Sequence, residues 1–172
     1  MNLILVFKVI CVLLLMIAAF MLAPLVIALT AGETELISSF LTPMIAVVFA
    51  AGLYLLLTRG VRGSLSTKSG FFLVTMSWLS AAAIGAIPFT LSGWIPSYTD
   101  AFFETMSGFT TTGATILTDI ESLPSSLLFW RSLTHWLGGM GIIVLTVAIL
   151  PLLGVGGYQI MKAEAPGPSV DK

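Results

Sequence analysis

The densest run of groups that could handle a ligand is Thr110-Thr111-Thr112-Gly113-Ala114-Thr115, within a stretch from Thr105 to Thr118 that carries no charge. Hydroxyls and backbone carbonyls are all it offers. Gly113 can take backbone angles closed to other residues, and rings of carbonyl oxygens can replace the hydration shell of a potassium ion. Taken alone, the run also reads as a plain extracellular turn. Its surroundings favour ion chemistry: a short amphipathic helix precedes it, and apolar spans of opposite direction lie on either side.

Other candidates carry less. Arg131 and His135 are four residues apart and share one face of a helix. A charge inside a membrane helix is a functional-site hypothesis by default. Arg131 could pair with Glu104, Asp119 or Glu121 and brace a pore mouth, or it could snorkel to the headgroups as an interfacial anchor. Glu104 could form a buried pair with Arg131, or its field could favour cations nearby. His135 reads as a hydrogen-bonded packing residue. Gly138, Gly139 and Gly141 resemble a dinucleotide loop in composition only, because no strand precedes them; small residues also let membrane helices pack closely. One cysteine (Cys11) and one histidine allow no nucleophile–base pairing, so the chain does not read as an enzyme. No thiol cluster for a metal and no organic cofactor site is legible.

The elements that must position these residues follow from composition. Of 172 residues 58% are hydrophobic and 9% charged, against about 25% charged in soluble domains. Seven Lys and Arg against eight Asp and Glu leave no basic footprint for nucleic acid. The chain reads as an integral, all-α membrane protein. Crossings of ~20 residues are expected over Leu3–Leu29, Leu36–Leu57, Phe71–Ser92 and Ser125–Leu153. Short loops rich in Lys and Arg stay cytoplasmic, so the loop with Arg59, Arg62 and Lys68 lies inside, together with both termini. Glu33, Glu35, Asp119 and Glu121 fall outside.

Between the third and fourth spans, Tyr98–Phe109 (YTDAFFETMSGF) reads as a helix capped by Thr99 or Asp100. Twelve residues rise only ~18 Å, too little for a ~30 Å hydrocarbon core. A re-entrant element that dips in and returns is therefore expected. Its carboxyl end would aim partial negative charge at the following run.

The run FFETMSGFTTTGAT at Phe102–Thr115 resembles the first pore loop of the Trk/Ktr-type bacterial potassium transporters. WRSLTHWLGGMGIIVL at Trp130–Leu145 resembles their pore-lining helix, and KAEAPGP at Lys162–Pro168 resembles the junction after the first repeat in TrkH-type members. The two leading spans favour the TrkH type over the KtrB type, which lacks that hairpin. The resemblance implies four transmembrane helices plus one re-entrant pore helix and filter loop: a hairpin with its cytoplasmic loop (1–68), a first helix–pore–helix repeat (69–160) and a cytoplasmic tail (161–172). It implies filter backbone from Thr111, Thr112, Gly113 and Ala114, with potassium held by the carbonyls of Thr111, Thr112 and Gly113, and pore support from Glu104 and Arg131.

It also implies a bacterial inner-membrane location, three remaining repeats, a homodimer when complete, and a cytosolic nucleotide-binding regulatory subunit. Where the family has four repeats this sequence has one, so a fragment or truncated product is expected, incomplete as a transporter. The alternatives are a non-conducting protein that docks onto intact subunits, and an unrelated re-entrant carrier for a small solute.

Overall fold

Backbone amides in an apolar setting must bond to one another, and the long apolar runs do so as helices. The computed structural model describes residues 3–61, 63 and 67–152, with the side chains of 67 and 142–152 left out. Every regular element among the described residues is helical: α1 (Leu3–Phe20), α2 (Leu22–Thr30), α3 (Thr34–Thr58), α4 (Thr67–Leu91), α5 (Tyr98–Phe109) and α6 (Ser125–Leu152). The tail 161–172, and Arg62 of the basic loop, lie outside the described residues.

The first span expected over Leu3–Leu29 is one crossing-length stretch, Leu3–Thr30, built of two helices that meet at Met21. Pro24 has no N–H to give the carbonyl of Phe20 four residues back, which loosens one turn. The axis is barely interrupted, because Met21 N still donates to Ile17 O at 3.0 Å and Leu25 N to Met21 O at 3.2 Å. The end of α2 is a tight left-handed stop. Gly32 sits at φ 74°, and Glu33 N reaches back to Ala28 O at 2.9 Å, the six-to-one bond of a Schellman turn.

Among the described residues, three stretches are long and apolar enough to cross a membrane: Leu3–Thr30, Thr34–Thr58 and Lys68–Leu91. The helix α6 is 28 residues long, with side chains described as far as Gly141. Large apolar side chains cover the outside: Phe49 is 73%, Leu56 65% and Leu57 77% exposed. An apolar surface of this kind belongs against lipid or other protein, not water.

The core lies where the α1–α3 hairpin, α4, α5 and the first turns of α6 converge, around Met21, Phe40, Phe89, Leu127 and Trp130. The helix α5 packs chiefly on α4 and then on α6. Charged side chains of the hairpin close two helix ends. Lys8 Nζ donates to the carbonyls of Thr58 (3.0 Å) and Val61 (3.1 Å) at the end of α3, where a cation meets the negative end of the helix dipole. Glu33 accepts from Ser125 N at 2.8 Å and Ser126 N at 3.2 Å, the first amides of α6. An anion at a helix amino terminus is the complementary arrangement.

Candidate functional site: a short helix and the strand that leaves it

The helix α5 has the bounds its apolar spacing predicts, but a different cap. Ser97, not Thr99 or Asp100, is the N-cap, and its hydroxyl accepts from Asp100 N at 3.4 Å. A cap must lie outside the helix with extended backbone, and Ser97 has φ −76° and ψ 118°. Tyr98 ties the same end to α4, its hydroxyl donating to Ala83 O at 3.0 Å.

Glycines set how deeply α5 sits. A Cβ on Gly85 of α4 would run into the Thr105 side chain. One on Gly108 would overlap Thr134 of α6, and one on Gly138 would overlap the backbone carbonyl of Phe109. Trp130 is fully buried beside them and donates from Nε1 to Gly85 O at 2.9 Å.

The carboxylate of Glu104 is 1% exposed and holds the centre of this seat. Arg131 Nε donates to its Oε1 at 2.7 Å. The Thr115 hydroxyl lies 2.9 Å from both of its oxygens, and Ile116 N donates to Oε2 at 3.1 Å. A buried charge requires a partner and further hydrogen bonds, and Glu104 has both. Of the three acids within sequence reach of Arg131, the structure pairs it with Glu104; Asp119 accepts instead from Glu121 N at 3.1 Å in an exposed turn. His135 Nδ1 lies 3.0 Å from the Arg131 carbonyl and packs along the same face.

At its carboxyl end α5 closes with a full Schellman turn. Thr111 N donates to Gly108 O at 2.9 Å and Thr112 N to Ser107 O at 3.0 Å, which puts Thr111 at the left-handed position with φ 55°. Glycine normally takes that position. A β-branched residue there is an outlier that costs roughly 1–2 kcal/mol. Gly113 is also left-handed, with φ 76°.

The backbone from 110 to 116 is neither helix nor strand, and its residues are exposed on the chain's surface. Thr110 Oγ1 and Thr112 Oγ1 are 2.8 Å apart. The Ser107 hydroxyl donates to Ala114 O at 2.6 Å. Among the described residues none donates to the carbonyl oxygens of Thr111, Thr112 or Gly113. Glu104, paired with Arg131, thus holds Thr115 and Ile116, the residues that directly follow the run Thr111–Ala114. Likewise among the described residues, no three His, Cys, Asp or Glu side chains converge on a metal-sized site.

Sequence reading missed Ser107, and it missed the bonds that Thr115 makes to Glu104 and Glu33 to Ser125. Ser107 and Thr115 act across the end of a helix, where periodicity carries no signal. Glu33 meets Ser125 across 92 residues. The Schellman turn at Thr111 was hidden because the nearest glycine lies two positions later.

The chain is similar to known proteins of one family. The family described as TrkH, Cation transport protein, matches residues 36–172. The Trk system potassium uptake protein TrkH of Escherichia coli (strain K12) is 52% identical over 115 residues, 66% of this chain and 24% of that protein. TrkH of Halomonas elongata is 40% identical over 172 residues, covering 99% of this chain and 36% of its own length. The crystal structure of the potassium transporter TrkH from Vibrio parahaemolyticus superposes with a TM-score of 0.83 at 36% identity, over 95% of this chain and 36% of that one. The chain therefore spans roughly a quarter to a third of the length of the relatives it matches.

Proposed function

The chain belongs to the TrkH family of cation transport proteins, and from that premise we propose that it supplies one selectivity-filter strand to a potassium uptake pathway. The observation that carries the reading is the strand after α5. A 12-residue helix ends in a left-handed turn, and the carbonyls of Thr111, Thr112 and Gly113 take no hydrogen bond from the described residues. Non-helical backbone at membrane depth needs protein or a water-filled path beside it. A partly dehydrated potassium ion is a suitable partner for such oxygens. The matched relatives are named potassium uptake proteins, which agrees with that ion as cargo.

In this reading α1–α2, α3, α4 and α6 cross the membrane, and α5 is re-entrant between α4 and α6. Residues 1–68 form the hairpin, 69–160 the helix–pore–helix repeat and 161–172 the connecting tail. The carbonyls of Thr111, Thr112 and Gly113 face the ion, Ala114 continues the strand, and Glu104 with Arg131 supports it from behind. One strand lines one side of an ion, so three further repeats surround it. Basic Lys8, Arg59 and Lys68 at one end and acidic Glu33, Asp119 and Glu121 at the other orient the basic end to the cytoplasm. The location is a bacterial inner membrane with both termini inside. A second copy and a cytosolic nucleotide-binding regulatory subunit complete the assembly.

The test is a chimaera in which this chain replaces the matching segment of the Vibrio parahaemolyticus transporter. Gly113→Ser forces a side chain onto a left-handed backbone, a strain of roughly 1–2 kcal/mol. Discrimination of potassium over sodium in uptake should fall about tenfold, since 1.4 kcal/mol is a factor of ten. Unchanged selectivity would overturn the filter assignment.

A further inference from the structure

Ser107 is placed to do something that the proposed filter reading does not require of it. It lies in the last turn of α5 and is 5% exposed. Both of its polar groups turn onto the strand that leaves the helix. Its carbonyl accepts from Thr112 N at 3.0 Å, and its hydroxyl donates to Ala114 O at 2.6 Å. Glu104, one turn earlier, holds the next two residues, Thr115 and Ile116. The segment is therefore tied through its backbone at 112, 114 and 116 and through a side chain at 115, and Gly113 is the residue spanned between the ties.

The two ties from Ser107 differ in kind. The carbonyl bond belongs to the Schellman turn and survives any substitution at that position. The hydroxyl bond is chemical: it exists because residue 107 carries an O–H. It acts on the carbonyl one peptide beyond Gly113. Where Ala114 O is drawn back towards α5, the Ala114–Thr115 peptide is held, which limits the Gly113–Ala114 peptide before it to rotation about the Ala114 Cα. A glycine without that restraint has access to both halves of the backbone map, so its carbonyl would sample more than one direction. Discrimination between two cations depends on how firmly the coordinating dipoles hold their positions and number.

We infer that Ser107 is a specificity-determining positioning residue, whose hydroxyl latches Ala114 O and thereby fixes the Gly113 carbonyl for potassium. The inference rests on the filter reading above and adds a residue to it. Ser107 touches no ion; it acts through the peptide that it holds. The same bond divides the four filter residues: Ala114 O is engaged by the protein, while Thr111, Thr112 and Gly113 keep their oxygens for the cargo.

The test uses the same chimaera, with rubidium uptake measured in the presence of competing sodium. Ser107→Ala removes the hydroxyl and leaves the backbone bond. Selectivity should drop about fivefold, the effect of one ordinary hydrogen bond, with KM for potassium raised and maximal rate retained. Ser107→Thr keeps an O–H and should restore selectivity. A merely structural role would lower the amount of transporter in the membrane and leave the ion ratio alone. If Ser107→Ala does not reach the membrane, Ser107→Cys, a weak donor of similar shape, is read by the same ratio. An unchanged ion ratio in the variant lacking a strong donor overturns the latch. Gly113→Ser run alongside separates the two ideas. Loss of selectivity there with none at Ser107 sinks the latch alone, and no loss at either sinks the filter reading beneath it.

Discussion

Glu104 is the residue on which the local structure turns, because an ionised carboxylate at 1% exposure is sustained only by what surrounds it. Arg131 supplies the countercharge at 2.7 Å, and Thr115 and Ile116 supply two further donors. Removing one member of a buried pair leaves the other charge uncompensated, at a cost of about 3–5 kcal/mol. Arg131→Met in the chimaera should therefore lower thermal stability in detergent sharply. Combining it with Glu104→Gln, which removes the orphaned charge but keeps an acceptor for Thr115, should recover much of that loss. A double variant as unstable as the single one would show that charge burial is not what Arg131 offsets. The pairing itself was partly legible: Arg131 and three acids were visible in the sequence, but which acid lay within reach required the fold.

At the scale of elements, α5 depends on having no side chain where it meets its neighbours. Gly138 faces the Phe109 carbonyl directly, whereas Gly139 has only the Thr111 methyl near it, at 3.9 Å. Gly138→Ala should push α5 out of its seat, destabilising by about 1–3 kcal/mol as overpacking does and weakening potassium uptake. Gly139→Ala should be tolerated in both respects. Thermal stability and rubidium uptake of the two chimaeras check this, and equal effects would show that the glycines do not set the depth of α5. Both glycines were legible as a close-packing motif, but not which of them made the contact.

The bounds of α5 could be read because its apolar residues recur at helical spacing up to Phe109. Its cap could not, since Ser97, Thr99 and Asp100 are all good capping residues and only backbone angles choose among them. The break at Met21 was missed because Pro24 was weighed as tolerable in a membrane helix rather than as a loosened turn. The left-handed Thr111 runs against local preference, so no propensity could have found it.

For the whole molecule, composition was enough to name the class, because 9% charge cannot solvate a surface. What composition did not reveal is how α1–α3 are joined to α4–α6. Glu33, in the turn after α2, caps α6, and Phe20 stacks edge-on to Trp136 at a centroid distance of 6.3 Å. The leading helices and α4–α6 thus share a core and one helix terminus. In this arrangement the segment 110–116 is presented on the surface of the chain, where, under the proposed function, three more such segments face it across an ion. The most direct measurement is anomalous scattering from rubidium in crystals of the chimaera. The expected result is a peak bounded by the carbonyl oxygens of Thr111, Thr112 and Gly113; rubidium found elsewhere along the pathway, with none beside these oxygens, would overturn the assignment.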